Sequence, residues 1–294
     1  KKAEAEKYLK KSAEKGNKKA ILEYAKLLDN EELDINKNEA LGYLYKAVDE
    51  GDDKAMLILG SLLYNGKVVE KNQKEAAFYF KKSADLGNSE AMFQYGQLLY
   101  YGYDIKKKYK SRIYYDTKKA SIYIKKAVDL QNINAMFLYA IMLLFGSGVE
   151  IDKKKAAYYF EKSADLGKIE SMVIYSYILF GDSINITKQE MSVILIFEDV
   201  INNICFNFFK KSKYNNEIII KYKNIWEENG IKGIINEINN LYQGTGIRKD
   251  INKGFEYLKK AVDNKNIIAM VVYSNLLLRG KNIKQNVKKG IKYL

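Results

Sequence analysis

Residues 82–102 read KSADLGNSEAMFQYGQLLYYG, and residues 162–181 read KSADLGKIESMVIYSYILFG. A chain that writes nearly the same stretch twice is built from a repeated unit, so internal repeats come before any single-residue motif. Further copies are KAVDEGDDKAMLILGSLLYNG at 46–66, KAVDLQNINAMFLYAIMLLFG at 126–146 and KAVDNKNIIAMVVYSNLLLRG at 260–280, with KSAEKGNKKAILEYAKLLDN starting at Lys11. Successive starts are 35, 36, 44, 36 and 98 residues apart.

A second pattern lies upstream of the copies: ALGYL at 40–44, AAFYF at 76–80, ASIYI at 120–124, AAYYF at 156–160 and GFEYL at 254–258. Ala40, Tyr43, Leu44, Ala47 and Val48 fall on one face of a helix, and Ala55, Met56, Leu59, Gly60 and Leu63 repeat that spacing on a second. Gly51-Asp52-Asp53 is the turn between them, where Asp52 or Asp53 can cap the second helix. Each unit is therefore a helical hairpin that buries its apolar face only by stacking on its neighbours. A slot on the second helix holds Ala25, Gly60, Gly96, Ala140, Ser176 and Ser274, residues small enough to let two helix axes approach. A Leu there overpacks the contact at a cost of about 1–3 kcal/mol. Tyr8, Tyr43, Tyr79, Tyr123, Tyr159, Tyr257 and Tyr293 share one slot on the first helix. Such a row either packs, its ring buried and its hydroxyl at the rim, or offers an aromatic face to a peptide.

The combined pattern A-x-x-Y-[LF]-x-K-[AS]-[AV]-D-x-G-[ND]-x-x-A-M-x-x-[LY]-[GAS]-x-L-L-x-x-G resembles the Sel1-like repeat. Its connecting loop is matched by FGSGVEIDKKKA (145–156), YQGTGIRKDINKG (242–254) and, more loosely, YNGKVVEKNQKEA (64–76). The resemblance covers residues 1–181 and about 240–294. It implies an all-α, right-handed solenoid related to tetratricopeptide (TPR-like) arrays, of about seven to eight units plus a partial one. It also implies adaptor work: holding partners in ER-associated degradation complexes, or acting in bacterial signalling and host interaction. The cysteines of cysteine-rich bacterial members are missing.

The expected organisation is an N-terminal repeat block over 1–187, a degenerate repeat or joint over 188–213, and a C-terminal block over 214–294. The 98-residue gap covers a diverged unit at 224–244, where Ile238 fills the small slot, and a truncated one near Lys213. The 44-residue spacing places a basic loop insertion at 101–119, carrying Lys106, Lys107, Lys108, Lys110, Arg112, Lys118 and Lys119 against Asp104 and Asp116. Insertions in repeat arrays go to loops, often on a binding face. Lys106, Lys107, Lys108, Lys110 and Arg112 are therefore candidate partner-binding residues. So are Phe206, Phe208 and Phe209, apolar residues of the irregular region that either fill a joint or dock a partner helix.

Composition narrows the chemistry. The 294-residue chain has no His and one Cys, which removes the commonest general base and any Cys-based metal cage. Cys205 sits among Ile204, Phe206, Phe208 and Phe209, a setting for an inert buried thiol. The Gly-x-Gly pairs at 146–148 and 244–246 lack the Gly-Lys-Ser/Thr of a phosphate loop and lie where helices end. No catalytic residues, cofactor, metal or small-molecule substrate are expected. The net charge of +14 admits nucleic acid or an anionic membrane as partner, against the plainer reading of a Lys-, Asn-, Ile- and Tyr-rich genome. No apolar run reaches the ~18–20 residues of a membrane span. The chain starts and stops inside helical patterns, which reads as a piece of a longer protein, so cytoplasm, ER lumen and bacterial periplasm are all compatible. The function expected is a non-enzymatic scaffold for protein partners, the alternative being a basic surface for polyanions.

Overall fold

The structure is a computed structural model that describes residues 2–29, 36–107, 110–180, 249–280 and 283–293. In order it contains α1 (Lys2–Glu14), α2 (Lys18–Lys26), α3 (Lys37–Asp49), α4 (Asp53–Asn65), α5 (Gln73–Asp85) and α6 (Ser89–Tyr101). A hairpin of β1 (Tyr103–Lys107) and β2 (Lys110–Tyr114) follows. Then come α7 (Thr117–Asp129), α8 (Ile133–Phe145), α9 (Lys153–Asp165), α10 (Ile169–Phe180), α11 (Ile251–Asp263), α12 (Ile267–Arg279) and α13 (Val287–Tyr293). Odd-numbered helices are the first of each repeat and even-numbered helices the second. The chain divides into two compact units, Lys1–Asn132 and Ile133–Leu294.

Local chemistry sets the helix ends. Asn17, Asn36, Asp52, Asn72, Asn88, Asp116, Asp152, Asp250 and Asn266 each accept a bond from the backbone amide three residues on. Of the two candidates at the 51–53 turn, Asp52 is the cap, accepting from the Ala55 amide at 2.9 Å. The turn itself is a Schellman closure: the Gly51 amide donates to the Val48 carbonyl and the Asp52 amide to the Ala47 carbonyl, each at 3.0 Å. This needs a left-handed residue, and Gly51 has φ 83°. Two turns put Gln131 (φ 61°) and Lys265 (φ 59°) in the same place.

Repeats join by a second recurring bond. The amides of five first-helix caps donate to a Leu carbonyl near the end of the preceding second helix. In the first unit these are Asn72 to Leu63 and Asp116 to Leu99, both 2.9 Å. In the second they are Asp152 to Leu143 at 3.0 Å, Asp250 to Leu179 at 3.1 Å and Asn286 to Leu277 at 2.9 Å. The bond from Asp250 to Leu179 carries the most information. It shows α11 seated on α10 as the next repeat in the stack, although 69 residue positions separate Phe180 from Asp250 in the chain. One buried cluster, containing Phe160, Leu179, Phe180, Tyr257 and Leu258, spans that contact.

The sequence reading of 101–119 as a loop needs correction, because its middle is the antiparallel hairpin β1–β2. Tyr103 pairs with Tyr114, Ile105 with Arg112 and Lys107 with Lys110. A search for helical period passes over this alternation, and the two-residue connection carries no Gly to announce a turn. The joint read at 188–213, and the boundaries at 187 and 214, lie outside the described residues.

Candidate interaction surfaces

The small slots sit between stacked repeats. Ala25, Ala140, Ser176 and Ser274 are buried. A Cβ on Gly60 would lie 2.7 Å from the Phe80 ring, and one on Gly96 would lie 2.6 Å from Ile124, whose side chain is fully buried. The serines turn their hydroxyls inward. Ser176 donates to the Val173 carbonyl and Ser274 to the Gly290 carbonyl, both at 2.7 Å.

The tyrosine row belongs to these interfaces. Four of the seven rings meet a tyrosine of the preceding second helix edge to face: Tyr123 on Tyr95 at 4.8 Å, Tyr159 on Tyr139 at 5.3 Å, Tyr257 on Tyr175 at 5.3 Å and Tyr293 on Tyr273 at 5.7 Å. Two of the hydroxyls reach back to the aspartate that closes the preceding repeat's first helix, whereas Tyr43 donates to Glu39 of its own helix. Tyr123 donates to Asp85 at 3.0 Å, and Tyr257 donates to Asp165 at 2.5 Å. Burial, reinforced by the Asp85 carboxylate, pushes the Tyr123 phenol up to about 12. Burial likewise raises Tyr257, with the Asp165 bond second, and raises Tyr175, with a bond to Glu161 second. Glu161 also accepts from Lys253 at 2.5 Å. These contacts lie at the α9–α10–α11 junction, so the repeat machinery there is complete. Sequence reasoning found the tyrosines but missed their acceptors. The signal was available, since Asp49, Asp85, Asp129, Asp165 and Asp263 recur in one slot.

Tyr8 lacks a preceding second helix within the described residues and is 66% exposed. Among the described residues no group of three or more His, Cys, Asp or Glu side chains is placed to hold a metal ion, and no helix is long and apolar enough to cross a membrane.

Two kinds of surface remain. First helices carry much of the charge: α7 has Lys118, Lys119, Lys125 and Lys126, and α9 has Lys153, Lys154, Lys155 and Lys162. Second helices after α2 carry little, α2 itself holding Lys18, Lys19, Glu23 and Lys26. The thirteen residues of α8 include no ionisable Lys, Arg, Asp or Glu, and α10 has only Glu170. In the first unit the second helices α2, α4 and α6 border a groove of about 260 Å³, lined by Ala25, Lys26, Leu57, Ile58, Ser61, Leu62, Glu90 and Gln94. In the second unit Ile141, Ile174 and Tyr177 are partly exposed on the corresponding helices. A wider recess of about 610 Å³ beside Tyr45 is lined by the 69–75 connection and is mainly polar.

The candidate residues of the insertion lie in the hairpin strands, Lys106 and Lys107 in β1 and Lys110 and Arg112 in β2. Lys108, Phe206, Phe208 and Phe209 lie outside the described residues, as do Cys205 and Ile238.

The Sel1 repeat family model matches residues 2–17, 19–52, 53–88, 89–132, 133–168, 240–266 and 267–294, which is more than half of the chain. The chain belongs to the Sel1 repeat family. Its fold is an all-α Sel1 repeat solenoid, to which the hairpin is an addition. The crystal structure of a protective antigen from uropathogenic Escherichia coli strains, displaying an SLR fold, is 19% identical with a TM-score of 0.50. That match covers 98% of this chain and 62% of the other, so this Sel1 chain spans less than two thirds of its relative's length. A Sel1 repeat protein from Oxalobacter formigenes is also 19% identical, at a TM-score of 0.48, with 98% of this chain and 74% of that one covered. A search of curated proteins found no match. Sel1 repeat proteins generally serve as protein-interaction scaffolds.

Proposed function

We propose that this Sel1 array is a non-enzymatic scaffold that holds a protein partner along the face formed by its second helices. The observation that carries the reading is the segregation of charge between first and second helices from α7 to α10. Second helices such as α8 and α10 are nearly free of ionisable groups yet leave Ile141, Ile174 and Tyr177 partly exposed. An apolar surface of this kind suits a packed polypeptide better than water. In the first unit the groove across α2, α4 and α6 adds Leu57, Ile58 and Leu62 as apolar lining, with Lys26 and Glu90 among its charged residues. The family supplies two settings, an ER-associated degradation adaptor and a bacterial signalling or host-interaction adaptor, and both would use this face.

The test is partner capture with face-specific variants. Ile58→Lys and Ile174→Lys place a charge on the second-helix face and should abolish recovery of partners retained by the unmodified chain. Lys154→Gln on a first helix should leave recovery unchanged. Loss on the first-helix variant alone would move the binding face and overturn the reading.

A further inference from the structure

We propose that the exposed face of α5 and α7 is a peripheral docking surface for an anionic lipid bilayer, separate from the second-helix face that holds a protein. The inference rests on a triplet that recurs at i, i+4 and i+8 of consecutive first helices: Phe78, Lys82 and Leu86 on α5, and Ile122, Lys126 and Leu130 on α7. That spacing sets each triplet along one side of its helix. Phe78, Leu86, Ile122 and Leu130 are between 52% and 59% exposed, whereas Phe80, Ala84, Ile124 and Val128 on the packed side of the same helices are buried. The two helices are neighbours in the first unit, joined by the Tyr123 bond to Asp85 at 3.0 Å. In the second unit α9 carries the triplet again as Tyr158, Lys162 and Leu166, its apolar members 50% and 47% exposed. The repeat itself does not require these apolar residues. The same two slots hold Gly42 and Glu50 on α3, and Glu256 and Asn264 on α11.

The charge of these helices complements anionic headgroups. α5 holds Lys74, Lys81 and Lys82 against Glu75 and Asp85, and α7 holds Lys118, Lys119, Lys125 and Lys126 against Asp129, a net of +4 within the two helices. Each carboxylate is already engaged. Glu75 accepts from the Asn72 side chain at 2.9 Å, Asp85 from Lys81 at 2.5 Å and from Tyr123, and Asp129 from Lys125. The Lys82 ammonium lies 4.7 Å from the centre of the Phe78 ring. A lysine whose stem runs along an apolar side chain keeps its head at the polar boundary while the apolar group goes deeper. On a bilayer Phe78, Leu86, Ile122 and Leu130 enter the acyl boundary, and Lys82 and Lys126 stay level with the lipid phosphates. The aliphatic members decide the class of partner. Leu86, Ile122 and Leu130 give a nucleic-acid base no ring to stack on, whereas acyl chains remove them from water. None of them lines the groove across α2, α4 and α6 or the recess beside Tyr45. Single apolar side chains set between lysines suit a fluid surface better than the charge-depleted, fitted core of a protein interface.

The test is co-sedimentation of the full chain with vesicles of phosphatidylcholine alone and of phosphatidylcholine mixed with phosphatidylserine, across a salt series. Labelled polyglutamate and single-stranded DNA serve as the alternative polyanions. The unmodified protein should partition onto the phosphatidylserine vesicles, weaken as salt rises, and leave the neutral vesicles largely unbound. Lys82→Gln/Lys126→Gln should lower the partition by about thirtyfold, at about fivefold for each lysine beside an anionic surface. Phe78→Gln/Ile122→Gln should keep the salt dependence and lower the partition by at least about tenfold, because two side chains no longer leave water for the acyl boundary. Lys259→Gln/Lys260→Gln on α11, the helix with Glu256 and Asn264 in the two slots, removes as much charge and should change the partition little. The substituted side chains are exposed, and circular dichroism checks that each variant keeps its helices. The proposal is overturned if the phosphatidylserine vesicles stay unbound at low salt. It is overturned equally if Phe78→Gln/Ile122→Gln binds as the unmodified chain does, which would reduce the surface to charge alone, or if the α11 variant loses as much as Lys82→Gln/Lys126→Gln. Tighter binding of polyglutamate or DNA than of the vesicles would assign the face to an acidic protein or a nucleic acid instead and overturn it as well.

Discussion

At Gly96 an added Cβ meets a fully buried Ile124 side chain at 2.6 Å and the Ala120 carbonyl at 3.3 Å. Neither neighbour has room to retreat. Gly96→Leu should therefore destabilise the first unit by at least about 1–3 kcal/mol. A thermal melt matching the unmodified chain would mean that α6 and α7 do not approach as described. Gln131 and Lys265 present the opposite case. Both occupy the left-handed turn position that Gly51, Gly87 and Gly167 take elsewhere, a conformation that opposes a Cβ by about 1–2 kcal/mol. Gln131→Gly and Lys265→Gly should each stabilise the protein by roughly 0.5–1 kcal/mol, the relief being offset by glycine's greater chain entropy. Denaturant midpoints read this directly, and a lower midpoint for either variant contradicts it.

The helix pair is the scale at which ionisation matters. Tyr123 carries a raised pKa of about 12, against 10.0 for a free phenol, because burial and then the Asp85 bond disfavour phenolate. A raised folded-state pKa means that the folded chain holds its proton longer. Its contribution to stability is complete below pH 10 and disappears as pH rises toward 12. Tyr175 and Tyr257 shift in the same direction at the α10–α11 junction. The protein should therefore lose stability through that alkaline window, and Tyr123→Phe should make the loss shallower. Asp85 moves the other way. Burial would raise it, but bonds donated by Lys81 and Tyr123 outweigh burial and hold it low. Its contribution is present above the ordinary carboxylate range and is lost as pH falls through it. Chemical denaturation at a series of pH values tests both limbs, and an unchanged alkaline limb in Tyr123→Phe would detach the ladder from stability.

Across the whole chain, the two breaks in the repeat period fall at one topological position, between a second helix and the cap of the next first helix. At the 44-residue spacing the connection holds the hairpin. At the 98-residue spacing the stack closes from Leu179 to Asp250, with Tyr257 on Tyr175 and Lys253 on Glu161 completing the contact. Repeat arrays are held by nearest-neighbour interfaces, so the α10–α11 contact is itself a complete repeat interface. A variant joining Phe180 to Asp250 through the sequence GSGVEI, copied from residues 146–151, should fold with its helical signal and cooperative melt retained. Collapse of that variant to an unfolded chain would show that the intervening residues are part of the stack.

The repeat was legible in the sequence because stacking imposes one rule many times over. Small residues at Gly96 and Ser176, tyrosines at Tyr123 and Tyr257, and caps at Asp52 and Asp250 stand at spacings that only helical hairpins explain. That determined the helical hairpins, their order along the chain and the family resemblance. Three matters needed the tertiary structure. The acceptors of Tyr123 and Tyr257 lie in the preceding repeat, 38 and 92 residues away, and no local period links such residues. The hairpin of β1 and β2 follows from strand pairing, which no helical period announces. The packing of α11 on α10 across 69 intervening positions was not legible, because apolar burial selects complementary surfaces in space and takes no account of the length of chain between them.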